Sequence, residues 1–227
     1  MMFSLSLIMH VIAGFVALIF LWMPLFFQRG GTSHRVTGWI FTYSMFIISG
    51  TSIHMAWYRI WYEGNQTAEQ FSFYLFLMFI AILSFSTAMY GLRVLRFKKH
   101  KGKHHRGVDW IIPSVLLISS IMMSIYGLRF GHPLLAWFPM VGIFLSLSHM
   151  VYWWRQPRFK NQWVIEHLTG MLSCGISTVT AFVVFGAPRL FALNDASLWL
   201  WFAPTIVLVP LILYFSIRES KKFRKEI

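Results

Sequence analysis

Seven stretches of this chain, each 19 residues or longer, contain no Asp, Glu, Lys or Arg: everything before Arg29, then 36–58, 70–92, 110–128, 130–154, 167–188 and 196–217. About 20 apolar residues suffice to carry a helix across the hydrocarbon layer of a bilayer. A transmembrane strand would be half as long and would alternate polar with apolar residues, and none of these stretches alternates. Backbone groups in lipid must then be satisfied within helices. The expected fold is an all-α polytopic membrane helix bundle, a single transmembrane domain over 1–227. Its seven transmembrane helices should fall near 5–27, 36–58, 71–95, 108–129, 134–154, 163–187 and 197–217. Composition agrees, with 57% hydrophobic and 12% charged residues against roughly 25% charged in a soluble domain. The first stretch has no basic residue before its apolar run and is too long for a secretory signal, so it is expected to remain as a mature helix.

The net charge of +13 resembles a nucleic-acid signal until it is mapped. Odd gaps between spans hold Arg29 and Arg35, then Arg93, Arg96, Lys98, Lys99, Lys101, Lys103 and Arg106, then Arg155, Arg158 and Lys160; the tail adds Arg218, Lys221, Lys222, Arg224 and Lys225. Even gaps hold only Arg59, Arg129 and Arg189, with Glu63, Glu69 and Asp195. Cytoplasmic loops carry the excess of Lys and Arg, which predicts an N-terminus outside and a C-terminus in the cytoplasm. The basic residues then orient the chain and meet anionic lipids at the cytoplasmic face, with no nucleic acid as partner. Cys174 is the single cysteine, so no intrachain disulfide forms.

Loops are short, and the longest polar stretch is 93–109. His34-Arg35 with Trp39 and His105-Arg106 with Trp110 repeat the same three residues 71 positions apart. This echo suggests repeated helical hairpins, although Arg and Trp also belong at a membrane interface for their own reasons. A shorter echo relates His54, Met55 and Arg59 to His149, Met150 and Arg155, a hint of inverted symmetry.

Four of the nine histidines lie inside spans: His10, His54, His149 and His167. Ionisable groups in a membrane are costly and mark functional positions by default. In the expected topology His10 and His54 lie four to five residues below the outer interface, and His149 and His167 as far from the inner one. At 1.5 Å per residue the two pairs are each ~6–8 Å deep, with ~20 Å between their levels. Two histidines per side is the set that bis-imidazole ligation of haem b on both faces would use. Small residues share each histidine's helix face: Ala13, Gly14 and Ala17 beside His10; Gly50 and Thr51 beside His54; Gly142 and Ser146 beside His149; Gly170 and Cys174 beside His167. Arg59 outside, with Arg35 and Arg155 inside, stand where haem propionates would take cations.

Other chemistries fit the same residues. Small residues let any membrane helices pack closely, and a neutral histidine can hydrogen-bond across a helix interface. The four histidines are equally candidate ligands for a bare metal ion or, with His132 and Glu166, ends of a proton relay. Glu166 and Asp109 each lie in a first helical turn, where a carboxylate complements the helix dipole. No GxSxG, HExxH or paired intramembrane carboxylates support hydrolysis, and the last span has no lysine for a retinal Schiff base.

HVIAGFVAL at 10–18, SHRVTGWIF at 33–41 and WVIEHLTGMLSCGISTVTAFVVF at 163–185 resemble a family of predicted prokaryotic seven-span integral membrane proteins of unknown function. That resemblance implies a multi-pass protein of the bacterial inner (plasma) membrane. An early-span histidine followed by small residues, an inner His-Arg pair and two further span histidines are more loosely similar to transmembrane di-haem b-type cytochromes of the ascorbate-reducing and ferric-reductase type. This likeness implies a membrane oxidoreductase passing electrons to or from quinone or a redox partner, with His34 as an alternative ligand. The chain departs from that pattern in having seven spans and histidine pairs on adjacent spans. The expectations are thus electron transfer through haem b, proton- or metal-coupled transport, or an accessory subunit whose histidines are structural.

Overall fold

The computed structural model describes residues 2–98, 107–159, 161–191 and 198–224. Among these residues every regular element is helical, as the uncharged stretches require. The helices are α1 (Met2–Phe20), α2 (Met23–Phe26), α3 (Thr32–Tyr62), α4 (Ala68–Arg96), α5 (Gly107–Phe130), α6 (Pro133–Trp137), α7 (Pro139–Trp154), α8 (Gln162–Ala181), α9 (Ala187–Phe191) and α10 (Leu198–Arg224). A π-helical turn, Phe182–Gly186, joins α8 to α9. Seven segments are long and apolar enough to cross a membrane: Met2–Phe26, Thr32–Tyr62, Ala68–Arg96, Gly107–Arg129, Pro133–Trp154, Gln162–Phe191 and Trp199–Lys221. All seven expected spans are present, and several run past the uncharged stretch, because long basic side chains at a helix end reach the interface while their stems stay in lipid.

The chain packs as two compact units. The first comprises Met1–Phe85 and Ser177–Asp195, the second Ser86–Ile176 and Ala196–Ile227. In the first, α1 and α3 form an antiparallel seam with Ala13, Ala17, Phe41, Met45 and Ala56 buried. Pro24 on the short α2 leaves its carbonyl to the His34 imidazole, which donates from Nδ1 at 3.0 Å and holds the bend before α3. Ser84 donates to Ser177 at 2.8 Å, so a hydroxyl on α4 meets one on α8.

In the second unit, α5 packs on α6 and α7. Gly127 lies so close to the Leu135–Ala136 backbone that a β-carbon would overlap it, and Ser124 Oγ donates to the Ala136 carbonyl at 2.7 Å. Arg93 on α4 forks onto both carboxylate oxygens of Asp109 on α5, with Nη2 2.8 Å from Oδ2. Asp109 is almost wholly buried. The carboxylate expected to complement a helix dipole is therefore also one half of an interhelical ion pair. Beside it, Tyr90, Val94, Tyr152 and Trp153 form an aromatic core, with Phe97, Trp110 and Trp163 packed against it. Large apolar side chains outside these cores, such as Ile12, Ile118, Phe144 and Val207, are exposed. That is the arrangement lipid-facing positions require, since lipid tails are as apolar as the side chains.

Candidate functional site

In the first unit, the seam between α1 and α3 brings His10 and His54 together through two reciprocal hydrogen bonds. His10 Nδ1 lies 3.0 Å from Thr51 Oγ1 on α3, and His54 Nδ1 lies 2.9 Å from Ser6 Oγ on α1. Thr51 already donates its own proton to the Ile47 carbonyl at 2.7 Å, so it accepts from His10, and the neutral imidazole carries its proton on Nδ1. Arg59 sits at the same end of the seam. Its guanidinium pairs with Glu63 and lies 4.6 Å over the Phe3 ring. Arg35, at the other end of α3, is exposed and joins none of these.

In the second unit, His149 and His167 converge on consecutive residues of α4. His149 is buried with its ring stacked on Tyr90, centroids 3.6 Å apart and planes 13° from parallel. Neither of its nitrogens meets a hydrogen-bond partner among the described residues. His167 Nδ1 donates to the Gly91 carbonyl at 2.8 Å. Tyr90, enclosed edge-on by Tyr152 and Trp153, donates its hydroxyl to Glu166 Oε2 at 2.6 Å. Gln162 donates to the other oxygen, Oε1, at 3.0 Å, and its own Oε1 accepts the Arg158 backbone N–H at 2.7 Å. Sequence reasoning placed Glu166 as a helix-end anion or as part of a proton relay, and missed Tyr90. The signal was a tyrosine inside an apolar span, whose hydroxyl needs a partner when buried.

Glu166, Tyr152 and Gln162 line a pocket of about 400 Å³, with Arg155, Arg158 and Phe159 among its other walls. Ligand pockets are concave, mostly apolar and supplied with a few convergent polar groups. Arg155, expected beside a haem propionate, thus belongs to a pocket rim.

The residues can be tested against haem directly. A macrocycle held between His10 and His54 would have to enter the seam, but each imidazole bonds a hydroxyl on the other's helix, and admitting the ring would force α1 and α3 apart. Beside His167, a β-carbon on Gly170 would stand 2.9 Å from Gly91 Cα. The small residues there admit another helix. Cys174, next along that face, is fully buried. Tyr90 covers one face of His149. The side chains as placed therefore do not fit a haem clamped within either histidine pair. Among the described residues there is no group of three or more His, Cys, Asp or Glu able to hold a metal ion. The repeat at His105-Arg106, together with His100 and His104, lies outside the described residues. Set against known protein families, curated proteins and solved structures, the chain matches none of them.

Proposed function

We propose that this chain is a proton-coupled transporter of the bacterial inner membrane, with Glu166 as the group that takes up and releases the coupling proton. One observation carries the reading: the Glu166 carboxylate lines a pocket and is also hydrogen-bonded by Tyr90, whose ring packs on the buried His149. A carboxylate that accepts from Tyr90 and Gln162 inside a span can also take a proton, and protonation removes a charge that is costly to hold in lipid. Tyr90 and Gln162 orient the carboxylate; His149 and Trp153 pack the Tyr90 ring and exclude water from behind it. The test is proton flux into proteoliposomes loaded with a pH-sensitive dye. Glu166→Gln should abolish the flux and Tyr90→Phe should slow it, while flux at the wild-type rate in the Gln variant would defeat the assignment.

A second reading, a b-type haem protein in electron transfer with quinone or a redox partner, is favoured by the unpartnered nitrogens of His149. A buried polar group without a hydrogen bond costs roughly 1–3 kcal/mol, and an iron ligand would offset it. Haem would supply one-electron chemistry there, and His149 is the residue that would hold it. The dithionite-reduced absorbance spectrum of the purified protein decides it. A sharp reduced band lost in His149→Ala supports haem, whereas a colourless protein from haem-replete cells removes the reading.

A further inference from the structure

The pocket beside Glu166 combines a basic rim with a lipid-like wall. Arg155 and Arg158 line it, and both are exposed. Their guanidinium groups take no carboxylate or hydrogen-bond partner among the described residues, in contrast to Arg59 on Glu63 and Arg93 on Asp109. Val151, Leu213 and Ile217 form part of the wall, and each is about half exposed, at 47%, 53% and 54%. The chain that carries the arginines is anchored. It leaves α7 extended at Arg155, buries Phe159, and ties the Arg158 N–H to Gln162. Two uncommitted guanidinium groups leave one anchored turn, and the guanidinium fork matches phosphate oxygens two at a time. An apolar wall running from that rim along α7 and α10 supplies a path for an acyl chain.

We propose that this pocket binds a phosphate ester that carries an apolar tail, the headgroup of an anionic phospholipid, with Arg155 and Arg158 on the phosphate and the tail along Val151, Leu213 and Ile217. About 400 Å³ accommodates a headgroup and the first part of a chain, within the range of about 300–1,000 Å³ for small-molecule sites. Glu166 also lines the pocket, but its two oxygens accept from Tyr90 and Gln162, which turns it toward those donors. The site shares its pocket with the proton reading but does not rest on it: the two arginines take the phosphate, and it would hold even if Glu166 moved no proton.

The experiment uses the full chain in a neutral detergent, titrated calorimetrically with dihexanoyl phosphatidylglycerol, dihexanoylglycerol and glycerol 1-phosphate. Saturable binding of the phospholipid and none of the phosphate-free diacylglycerol is expected, with R155Q/R158Q weakening binding by about tenfold or more. R155K/R158K, which keeps both charges and loses the fork, should fall between and shows that a loss in the Gln pair is not unfolding. Equal affinity for glycerol 1-phosphate would keep the phosphate site and assign it to a water-soluble ester. Tight binding of dihexanoylglycerol, or unchanged phospholipid binding in R155Q/R158Q, overturns the proposal.

Discussion

Two parts of this protein hold intramembrane histidines next to glycines, and they use them in opposite ways. Along the α1/α3 seam, a β-carbon added at Gly14 or Gly50 meets nothing within 4 Å, and both histidines find hydroxyl partners. Around Tyr90, Gly91 and Gly170 are in mutual contact, and His149 finds no hydrogen-bond partner. A histidine–glycine face therefore says little by itself about what lies against it. In the first region polar bonds join helices whose glycines are incidental; in the second the glycines permit the contact and the imidazole is packed as a ring.

One large test of this contrast is steric. Gly170→Leu should prevent α8 from approaching Gly91 and lower the unfolding temperature in detergent steeply, with overpacking costing ~1–3 kcal/mol or more. Gly14→Ala and Gly50→Ala should be neutral or slightly stabilising, since alanine gains roughly 0.8–1 kcal/mol over glycine in a helix. Equal losses at all three positions would erase the distinction. The buried ion pair supplies another of at least that size. Arg93→Gln takes the guanidinium away from the buried carboxylate of Asp109 and should cost about 3–5 kcal/mol, whereas Arg59→Gln, at an exposed pair, should change stability by ~1 kcal/mol or less. Detergent unfolding curves read both.

The histidines themselves should separate more finely. His149→Phe replaces an unpartnered imidazole with an apolar ring able to stack on Tyr90, and should leave stability unchanged or raise it by ~1 kcal/mol. His10→Phe removes a bond to Thr51 and should lose about 0.6 kcal/mol, the typical size of a hydrogen bond between membrane helices. If His149→Phe were the more damaging of the two, the ring would be needed for its nitrogens, which favours a ligand at that position. Thr51→Val should reproduce the His10→Phe loss, and the double variant should add nothing further.

The spans were legible because the cost of a charge in lipid writes itself into every stretch of about 20 residues. Their interruptions were less so. Helix α1 ends at Phe20 and restarts at Met23 where Pro24 disturbs the ladder, a break no hydropathy pattern marks. The four histidines were legible as unusual, and Arg155 as interfacial. Their partners were not, because Tyr90 reaches Glu166 across 76 residues, and helix-face periodicity constrains only neighbours three or four apart. The same limit made Gly170 look like room for a cofactor. Only the position of Gly91 on another helix reveals what fills that room.

The π-helical turn at Phe182–Gly186 changes how the rest of its span is addressed. A π turn closes one residue later than an α turn, so each following position is rotated by roughly 100° from where an uninterrupted helix would have carried it. Residues of α9, including Arg189, therefore occupy a different side from the one that counting forward from Cys174 assigns. Deleting a single residue between Phe182 and Gly186 would return the turn to α-helical geometry and leave Arg189 on the side it now occupies, because the roughly 100° step removed equals the lag of the π turn.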